Sequence, residues 1–309
     1  MRVFVAGATG VLGRQLVPQL RAAGHEVVAS TTTTEKLPLI REMGAEPVRA
    51  DLLDAAATAR AVRKARPDAI VHEATALTSL GDMRNVDQTF ERTNQLRTVG
   101  TRNLLAAAQD LGACRFVAQS FCGWPYGRSG SLVKTEDDPL DTDPLPQTGK
   151  TLAAIKELEA VVTDNGGVVL RYGGFYGPGT SLAPGGPQYE AVRKRMLPIV
   201  GKGAGLFSFL HVEDAASATV AALAGPPGVY NVVDDEPAAA RDWIPYLASI
   251  IGAKPPRRLP TWMARWAAGS VATAVLTVGR GASNAKAKQQ LGWKLRYPSW
   301  RDGFQRGLS

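Results

Sequence analysis

Short apolar runs alternate with stretches of helical spacing through the first 172 residues of the chain. Residues 3–5 (Val-Phe-Val) form the first run, and glycines follow it at once. Residues 11–23 then carry apolar side chains one helical turn apart, and Gly24 stands where a helix-ending glycine is expected. An apolar run without alternation is typical of a strand buried on both faces. The order strand, helix, strand therefore predicts a parallel sheet covered by helices on both sides.

The same pattern recurs and predicts six strands and four helices before residue 173. The predicted strands cover residues 2–6, 26–30, 47–50, 69–72, 115–119 and 168–171, and the predicted helices cover residues 11–23, 55–66, 97–111 and 152–163. Short connections favour an α/β fold of the Rossmann type, a doubly wound parallel sheet. After Tyr172 the segments become shorter. We predict a dinucleotide-binding domain over residues 1–172 and a smaller, mainly substrate-binding C-terminal lobe over residues 173–309, with segments that return to the first domain.

Two segments do not fit the alternation. Residues 123–149 are rich in Pro, Gly, Asp and Thr and predict a long loop. Loops of that length in a compact domain usually carry function. Residues 262–278 are mostly apolar and include Trp262 and Trp266, which favours a hydrophobic cap or a helix at a subunit contact, as in a homodimer. Nearby arginines would also suit a membrane surface, but we consider membrane association the weaker interpretation.

Composition excludes several classes of protein. The chain has 309 residues, of which 45% are hydrophobic and 21% charged, so gross disorder is excluded. Cys114 and Cys122 are too few for a disulfide framework, and with three histidines they make a dedicated metal site unexpected. No signal peptide or apolar stretch of membrane-spanning length is present, so a cytoplasmic protein is expected.

The net charge of +8 is concentrated near the C-terminus. Residues 254–309 contain eleven basic residues and one acidic residue, Asp302. This asymmetry indicates either an anionic partner, such as an anionic substrate, or a solvated basic surface. The basic residues are dispersed among apolar ones, which argues against a nucleic-acid-binding tail.

A glycine-rich segment follows the first predicted strand and opens the first helix. It covers residues 7–13 and places Gly7, Gly10 and Gly13 three residues apart, with Thr9, Val11 and Leu12 between them. In this context the glycines allow a tight turn, close approach of a pyrophosphate and packing of the helix on the sheet. The N-terminus of the helix adds free N–H groups and a positive dipole end. The segment therefore predicts a dinucleotide site.

Two further segments are candidates for binding the adenosine half of such a cofactor. Asp51 and Leu52 follow the third strand, where the carboxylate either accepts from an adenine amino group or caps the next helix. The second strand ends in a run of threonines that includes Thr31 and Thr33, followed by Lys36. No acidic residue stands early in this run to hold a ribose 2′-hydroxyl. The sequence favours NADP over NAD as the NAD(P) cofactor.

Several motifs together resemble the extended short-chain dehydrogenase/reductase superfamily, in particular its NAD-dependent epimerase/dehydratase branch. They are spread in family order over nearly the whole chain and cover residues 7–13, 51–52, 72–75, 93–95, 170–179, 209–214, 228–232 and 291–293. The resemblance implies a Rossmann fold, a nicotinamide cofactor and a small-molecule substrate between two lobes. It also implies cofactor contacts beyond the glycine loop, at Ala74, Thr75, Asn94, Tyr172, Gly174 and Phe175.

The catalytic helix differs from that family. Members normally use a Tyr-x-x-x-Lys pair with an upstream Ser or Thr, in which the tyrosine is the general acid or base. If Lys156 is the family's lysine, the tyrosine position holds Leu152; a shift by one residue places Thr151 opposite Ile155. No Tyr-x-x-x-Lys occurs in the chain.

The upstream hydroxyl is also ambiguous. Alignment from the strand places Ser120 near the family's serine, and alignment from the following Tyr-Gly places Cys122 there; both can equally be packing residues. Tyr126, Tyr176 or Cys122 are the candidates for a replacement acid. Lys156 is the candidate for ribose contact, and Ser120 for orienting the substrate and touching the cofactor.

The sequence therefore predicts an NAD(P)-dependent oxidoreductase or epimerase with an atypical active site and a small, possibly anionic substrate. Reduction of an activated double bond would need less help from an acid. Two alternatives stay open: a non-redox isomerase or cyclase, and a cofactor-sensing protein without turnover.

Overall fold

The computed structural model describes residues 1–77, 83–112 and 114–308. Within these ranges the strands are β1 (Arg2–Ala6), β2 (Glu26–Thr31), β3 (Glu46–Arg49), β4 (Ala69–His72), β5 (Arg115–Phe121), β6 (Val133–Lys134), β7 (Val168–Tyr172), β8 (Gly174–Tyr176), β9 (Ile199–Val200), β10 (Leu206–Phe207), β11 (Phe209–His211), β12 (Gly228–Val232), β13 (Ala238–Ala239), β14 (Arg258–Leu259) and β15 (Gly281–Ala282).

The helices of the same ranges are α1 (Val11–Ala22), α2 (Leu37–Glu42), α3 (Ala55–Ala65), α4 (Val86–Thr89), α5 (Glu91–Gln95), α6 (Thr101–Gln109), α7 (Gly149–Asp164), α8 (Pro187–Arg193), α9 (Val212–Ala222), α10 (Ala240–Ile250), α11 (Thr261–Val278), α12 (Ala285–Leu291) and α13 (Trp300–Arg306). Short 3₁₀ turns cover Thr34–Lys36 and Pro146–Thr148. A π-helical turn, Leu96–Gly100, joins α5 to α6.

Seven strands form one parallel sheet in the order β12-β7-β5-β4-β1-β2-β3. The chain builds outward from β1 through β2 and β3, then returns to the other side of β1 with β4. This reversal is the point at which open α/β sheets bind ligands, beyond the carboxyl ends of the strands. The predicted doubly wound sheet is confirmed. One of its two edge strands, β12, comes from the predicted C-terminal lobe.

The sheet is buried on both faces. In β1, Val3, Phe4 and Val5 are all fully buried, which explains why the strand is apolar without alternation. Burial of each such side chain contributes about 1.5–3 kcal/mol. Helices α1 and α9 cover one face, and α3, α6 and α7 cover the other.

A separate apolar core organises the C-terminal part. Phe209 contacts the rings of Trp243, Trp300 and Phe304, and Trp300 also contacts Phe304. These contacts hold α10 and α13 beside β11. The predicted boundary near Tyr172 stays a prediction, since β12 and α9 pack with the sheet.

Helix α11 is kinked at Gly269, whose φ of +86° is outside the helical range. Its first half exposes Trp262 and Trp266, at 72% and 86% of their surface. Its second half packs inward through Val271 and Leu276. Among the described residues no helix combines the length and apolarity that crossing a membrane requires.

Candidate active site

The glycine loop lies at the reversal point of the sheet, between the ends of β1 and β4. Gly7 adopts a φ of +91°, and a Cβ there would lie 2.6 Å from the backbone of Glu73 and Ala74. At Gly13 a Cβ would lie 2.5 Å from the backbone of Ala8. Both glycines are therefore required by close backbone packing. Gly10 is freer, since the nearest atom to its added Cβ would be 3.3 Å away.

The first turn of α1 is suited to an anion. Gly10 is the N-cap and offers no side-chain acceptor, and no acidic residue occupies the first turn. Val11, at the first helical position, is 36% exposed. The first N–H groups of a helix have no partner within it, and here no capping side chain supplies one. This end of the helix fits the pyrophosphate of a dinucleotide.

A buried carboxyl group lies directly behind the loop. Glu73 follows β4, and its Oε1 lies 3.1 Å from the Tyr172 hydroxyl, which also lies 2.6 Å from Thr219 Oγ1. The other carboxyl oxygen of Glu73, Oε2, has no hydrogen-bond partner within the described ranges. Burial raises the pKa of Glu73 to about 8, so the group is protonated at neutral pH. Ala74 is half-buried and Thr75 exposed beside it.

At the adenosine end, the alternative role of Asp51 as helix cap is wrong. Asp54 caps α3 by accepting from the backbone N–H of Ala57, whereas Asp51 accepts from that of Leu53 and stays half-exposed. Its Oδ2 lies 3.5 Å from Nη2 of the exposed Arg92, and the half-exposed carboxylate keeps lone pairs for a further donor. Leu52 is buried in the core.

The threonine run ends β2 with one buried and several exposed residues. Thr31 is buried, Thr33 is exposed, and their hydroxyl oxygens lie 3.5 Å apart. Lys36 is exposed in the same run. Arg49 of the adjoining β3 donates from Nε to the carbonyl oxygen of Thr32. The sequence interpretation missed this arginine, because only the pairing of β2 with β3 brings it beside the run.

Asn94 of α5 forms a hydrogen bond with the start of α7. Its Nδ2 donates to Thr151 Oγ1 over 3.0 Å, and Asp87 accepts from both the Thr151 hydroxyl and its backbone N–H. Thr151, one candidate for the tyrosine position, is thus held by two side chains. Ile155, its partner one turn on, is buried and apolar.

The π-helical turn carries a buried arginine that the sequence interpretation missed. Arg97 donates to Asn94 Oδ1 over 3.3 Å. Burial lowers the pKa of its guanidinium to about 10, although nearby Glu159 opposes that shift. Burial also lowers the pKa of the neighbouring His72 to about 4, and its Nε2 lies 3.1 Å from the carbonyl of Leu96. An arginine in a predicted helix is normally assigned to the surface, so no sequence signal marked it.

Ser120 belongs to a closed polar network inside the protein. Its hydroxyl donates to Glu159 Oε1 over 2.6 Å. Arg171 holds both oxygens of Glu159, at 2.8 and 2.5 Å. The same guanidinium donates to the Tyr126 hydroxyl, which donates to Asn231 Oδ1 over 2.7 Å. Burial raises the pKa of Tyr126 above its usual range.

The other predicted acids and the lysine lie in different surroundings. Lys156 is exposed and donates to the backbone carbonyl of Asp141 over 2.7 Å. Cys122 is buried beside Tyr126, and burial raises the pKa of its thiol to about 12. Tyr176 is fully buried in the C-terminal aromatic core, where its hydroxyl has no partner and burial raises its pKa. The structure does not bring Tyr176 and Lys156 together with Ser120.

A slot opens between the long loop, α7 and the second half of α11. Its lining residues are Gly123, Trp124, Tyr126, Arg128, Asp141, Pro144, Leu145, Thr148, Leu152, Val271, Ala274, Val275, Val278, Gly279 and Arg280. Leu152, the other candidate for the tyrosine position, therefore faces this slot. The described residues contain no group of three His, Cys, Asp or Glu side chains placed to hold a metal ion.

The chain belongs to the NAD dependent epimerase/dehydratase family, whose model matches residues 3–232. The resemblance drawn from the motifs is confirmed, and the chain is an enzyme of the NAD(P)-dependent oxidoreductase or epimerase type. It is 46% identical over 310 residues to the 3-diazoavenalumate denitrifying reductase of a Streptomyces species, an alignment that covers 99% of this chain and 100% of the relative.

A more distant relative is also named a reductase, and two solved structures share the fold. The chain is 32% identical over 261 residues to a 4-hydroxy-2-methyl-3-oxo-4-farnesyl-3,4-dihydroquinoline-1-oxide ketoreductase of Stigmatella aurantiaca, with 82% of this chain and 74% of the relative covered. The solved UDP-glucose 4-epimerase of Thermotoga maritima with UDP-glucose matches at 20% identity and a TM-score of 0.77, covering 100% and 97% of the two chains. Human epimerase family protein SDR39U1 with NADPH matches at 20% identity and a TM-score of 0.76, covering 100% and 99%.

Proposed function

We propose that this protein is an NADPH-dependent reductase that replaces a diazonium group of a small organic carboxylate by hydrogen and releases N₂. One observation supports the proposal: the chain has no Tyr-x-x-x-Lys, and the hydroxyl groups near Leu152 and Thr151, the two residues predicted at the tyrosine position, are already engaged. The relative that matches over its full length acts, by its name, on a diazo compound and removes nitrogen.

The chemistry explains why no acid is needed. Reduction of a ketone forms an alkoxide, which must receive a proton from the enzyme. In the proposed reaction, R–N₂⁺ and NADPH give R–H, N₂ and NADP⁺. A C–H bond forms, the C–N bond breaks, and N₂ leaves with the electron pair of that bond. The leaving group is neutral, so charge balances without a proton donor.

The residues present fit the cofactor, which supplies a hydride when bound. We assign the pyrophosphate to residues 7–13 and the adenine to Asp51 and Leu52. Thr31 and Thr33, with Arg49 and Lys36 beside them, suit a 2′-phosphate, which supports NADPH over NADH.

The nicotinamide half is assigned to groups on both walls. On the strand side these are Ala74, Thr75, Tyr172, Gly174 and Phe175. On the helix side we assign the ribose to Asn94 and Arg97 in place of the outward-facing Lys156.

The predicted acids receive a different role in this proposal. Ser120 and Tyr126 stabilise the wall of the site through Glu159 and Arg171, and neither transfers a proton. Cys122 and Tyr176 are packing residues. The enzyme's contribution is then to hold the reacting carbon against the cofactor and to exclude water from an apolar slot.

The test uses purified protein with NADPH deuterated at the transferred position and 3-diazoavenalumate as substrate. We expect N₂ in the headspace and one deuterium at the carbon that carried nitrogen. Consumption of NADPH should match the N₂ released mole for mole. NADPH oxidation with ketones, in the absence of any N₂ from the diazo compound, would replace this proposal with a ketoreductase.

A further inference from the structure

The slot is lined mostly by apolar residues, together with two arginines. Trp124, Leu145, Leu152, Val271 and Val275 are among its apolar lining residues. Arg128 and Arg280 line the same slot and come from different segments, the long loop and the turn after α11. We propose that Arg280, assisted by Arg128, binds the carboxylate of the substrate, so that the slot selects apolar carboxylates. The inference rests on the proposed function and specifies how its substrate is held.

The guanidinium of Arg280 has an N–H group that no described protein atom accepts from. Its Nη1 donates to the carbonyl oxygen of Val278 over 3.0 Å, and its Nη2 donates to that of Arg128. Both acceptors are neutral, so neither cancels the charge of the guanidinium. Its Nε is buried and has no hydrogen-bond partner. Buried donors without partners are rare in folded proteins, and a ligand oxygen would satisfy this one.

Arg280 differs from four other basic residues near the C-terminus in having no acidic partner in the part of the chain that the structure describes, and among the basic residues at 254–309 it is the one that lines the slot. Lys288, Arg296, Arg301 and Arg306 each form an ion pair with an acidic side chain. Arg280 forms no such pair among the described residues. The basic excess of this region therefore includes one charge that faces the slot with no protein carboxylate bonded to it.

Arg128 contributes a second, weaker positive charge. It donates to the backbone carbonyl of Asp143, and its Nε lies 3.6 Å from Asp141 Oδ2. With Asp141 counted, the lining of the slot contains two guanidinium groups and one carboxylate. The balance favours one anionic group, and a guanidinium offers the paired donors that match the two oxygens of a carboxylate.

The experiment measures binding, so that it does not depend on turnover. NADP⁺-loaded protein is titrated by calorimetry with avenalumate and with its uncharged primary amide. The wild type should bind the acid about tenfold or more tightly than the amide. Arg280→Gln should remove that preference and leave the amide affinity unchanged, and Arg280→Lys should retain part of it. Arg128→Gln should weaken acid binding by about threefold.

Arg257→Gln, an exposed arginine outside the slot, is the matched control and should bind both ligands like the wild type. Equal binding of acid and amide by the wild type, or binding of neither, would overturn the proposal. So would an equal loss for both ligands in Arg280→Gln, because that result indicates a loosened loop. Arg280-dependent binding of avenalumate without N₂ release from the diazo compound would retain this subsite and reject the proposed reaction.

Discussion

The two walls of the cleft are built from different kinds of atoms. The wall formed by β1, α1 and the end of β4 uses backbone, with Gly7 and Gly13 packed too closely for any side chain. The opposite wall, formed by α5–α7 and β5, uses side chains, and its hydroxyl groups are engaged by Glu159, Asp87 and Asn231. In our proposal the first wall keeps the family's pattern and the second departs from it. A site made of backbone is kept as long as the fold is kept. The side chains that transfer protons can be replaced within the same fold.

The largest expected effect concerns the side-chain wall. Glu159→Gln leaves the guanidinium of Arg171 buried without its carboxylate, which should lower the free energy of unfolding by about 3–5 kcal/mol. Chemical denaturation followed by circular dichroism measures it. Glu157→Gln, which removes the surface partner of Arg102, should cost less than about 1 kcal/mol. Equal effects would mean that the network does not support the wall.

The next effect concerns the backbone wall. Gly10→Ala adds a Cβ 3.3 Å from the carbonyl oxygen of Gly7, a tight contact that a shift of a few tenths of an ångström would relieve. The same Cβ stands where a pyrophosphate approaches, so NADPH affinity should fall about tenfold or more, or ~1.4 kcal/mol. Titration of NADPH fluorescence checks the affinity, and a thermal melt checks the fold. Gly149→Ala, where nothing lies within 4 Å of the added Cβ, should bind NADPH normally. Unchanged affinity in Gly10→Ala would place the pyrophosphate elsewhere.

The third prediction concerns Glu73, which lies behind the glycine loop of the backbone wall, and the pH dependence of the stability of the protein. The pKa of Glu73 in the folded protein is about 8, above its ordinary value of 4.5. The stability that Glu73 contributes is thus fully present below pH 4.5 and is lost as pH rises through about 8. Glu73→Gln keeps an acceptor for Tyr172 and removes the ionisation.

Thermal melts from pH 5 to pH 9 should therefore show a smaller decline in the Glu73→Gln variant than in the wild type. At pH 9 the variant should be more stable by about 1 kcal/mol or more. Exposed Glu35→Gln serves as the control and should follow the wild type. Parallel curves for Glu73→Gln and the wild type would show that Glu73 ionises normally.

The smallest effects on the reaction rate are expected from the tyrosines first considered as acids. Tyr126→Phe should lower stability by about 1–2 kcal/mol, because Arg171 and Asn231 lose a partner. Tyr176→Phe removes a hydroxyl that has no partner and should change stability by less than about 0.5 kcal/mol. Rates of N₂ release should stay within about twofold in both. A rate loss of a hundredfold in either variant would restore that tyrosine as the acid.

The sheet could be predicted because its strands are short, fully buried and separated by amphipathic helices. The six strands predicted before residue 173 correspond to β1–β5 and β7 and lie within two residues of their predicted ends, whereas the short β6 lies in the segment predicted to be a loop. The helix predicted over residues 97–111 begins earlier, at Glu91, and includes the π-helical turn. A π turn changes the backbone hydrogen bonding without a distinctive composition, so the periodicity did not reveal it.

The site was predictable only where local backbone makes it. The glycine loop is one continuous segment, and the spacing of its three glycines was enough to predict a dinucleotide site. The polar network instead joins residues from Ser120 to Asn231, and the slot joins residues from Gly123 to Arg280. Arg97 and Arg280 carry charges that sequence reasoning assigns to the surface. Only the packing of distant segments shows that one is buried and the other faces the slot.

The tryptophans of the chain have an optical consequence. Trp243, Trp293 and Trp300 are buried, whereas Trp262 and Trp266 on the kinked helix face solvent. Trp124 lies in the slot. Iodide should therefore quench the indoles of α11 first and shift the remaining emission to shorter wavelength. The emission that persists comes from the three buried tryptophans and from Trp124, and of these four Trp124 is the one that lines the slot. A change in emission when ligand is added to Trp262→Phe, Trp266→Phe protein should therefore come from Trp124.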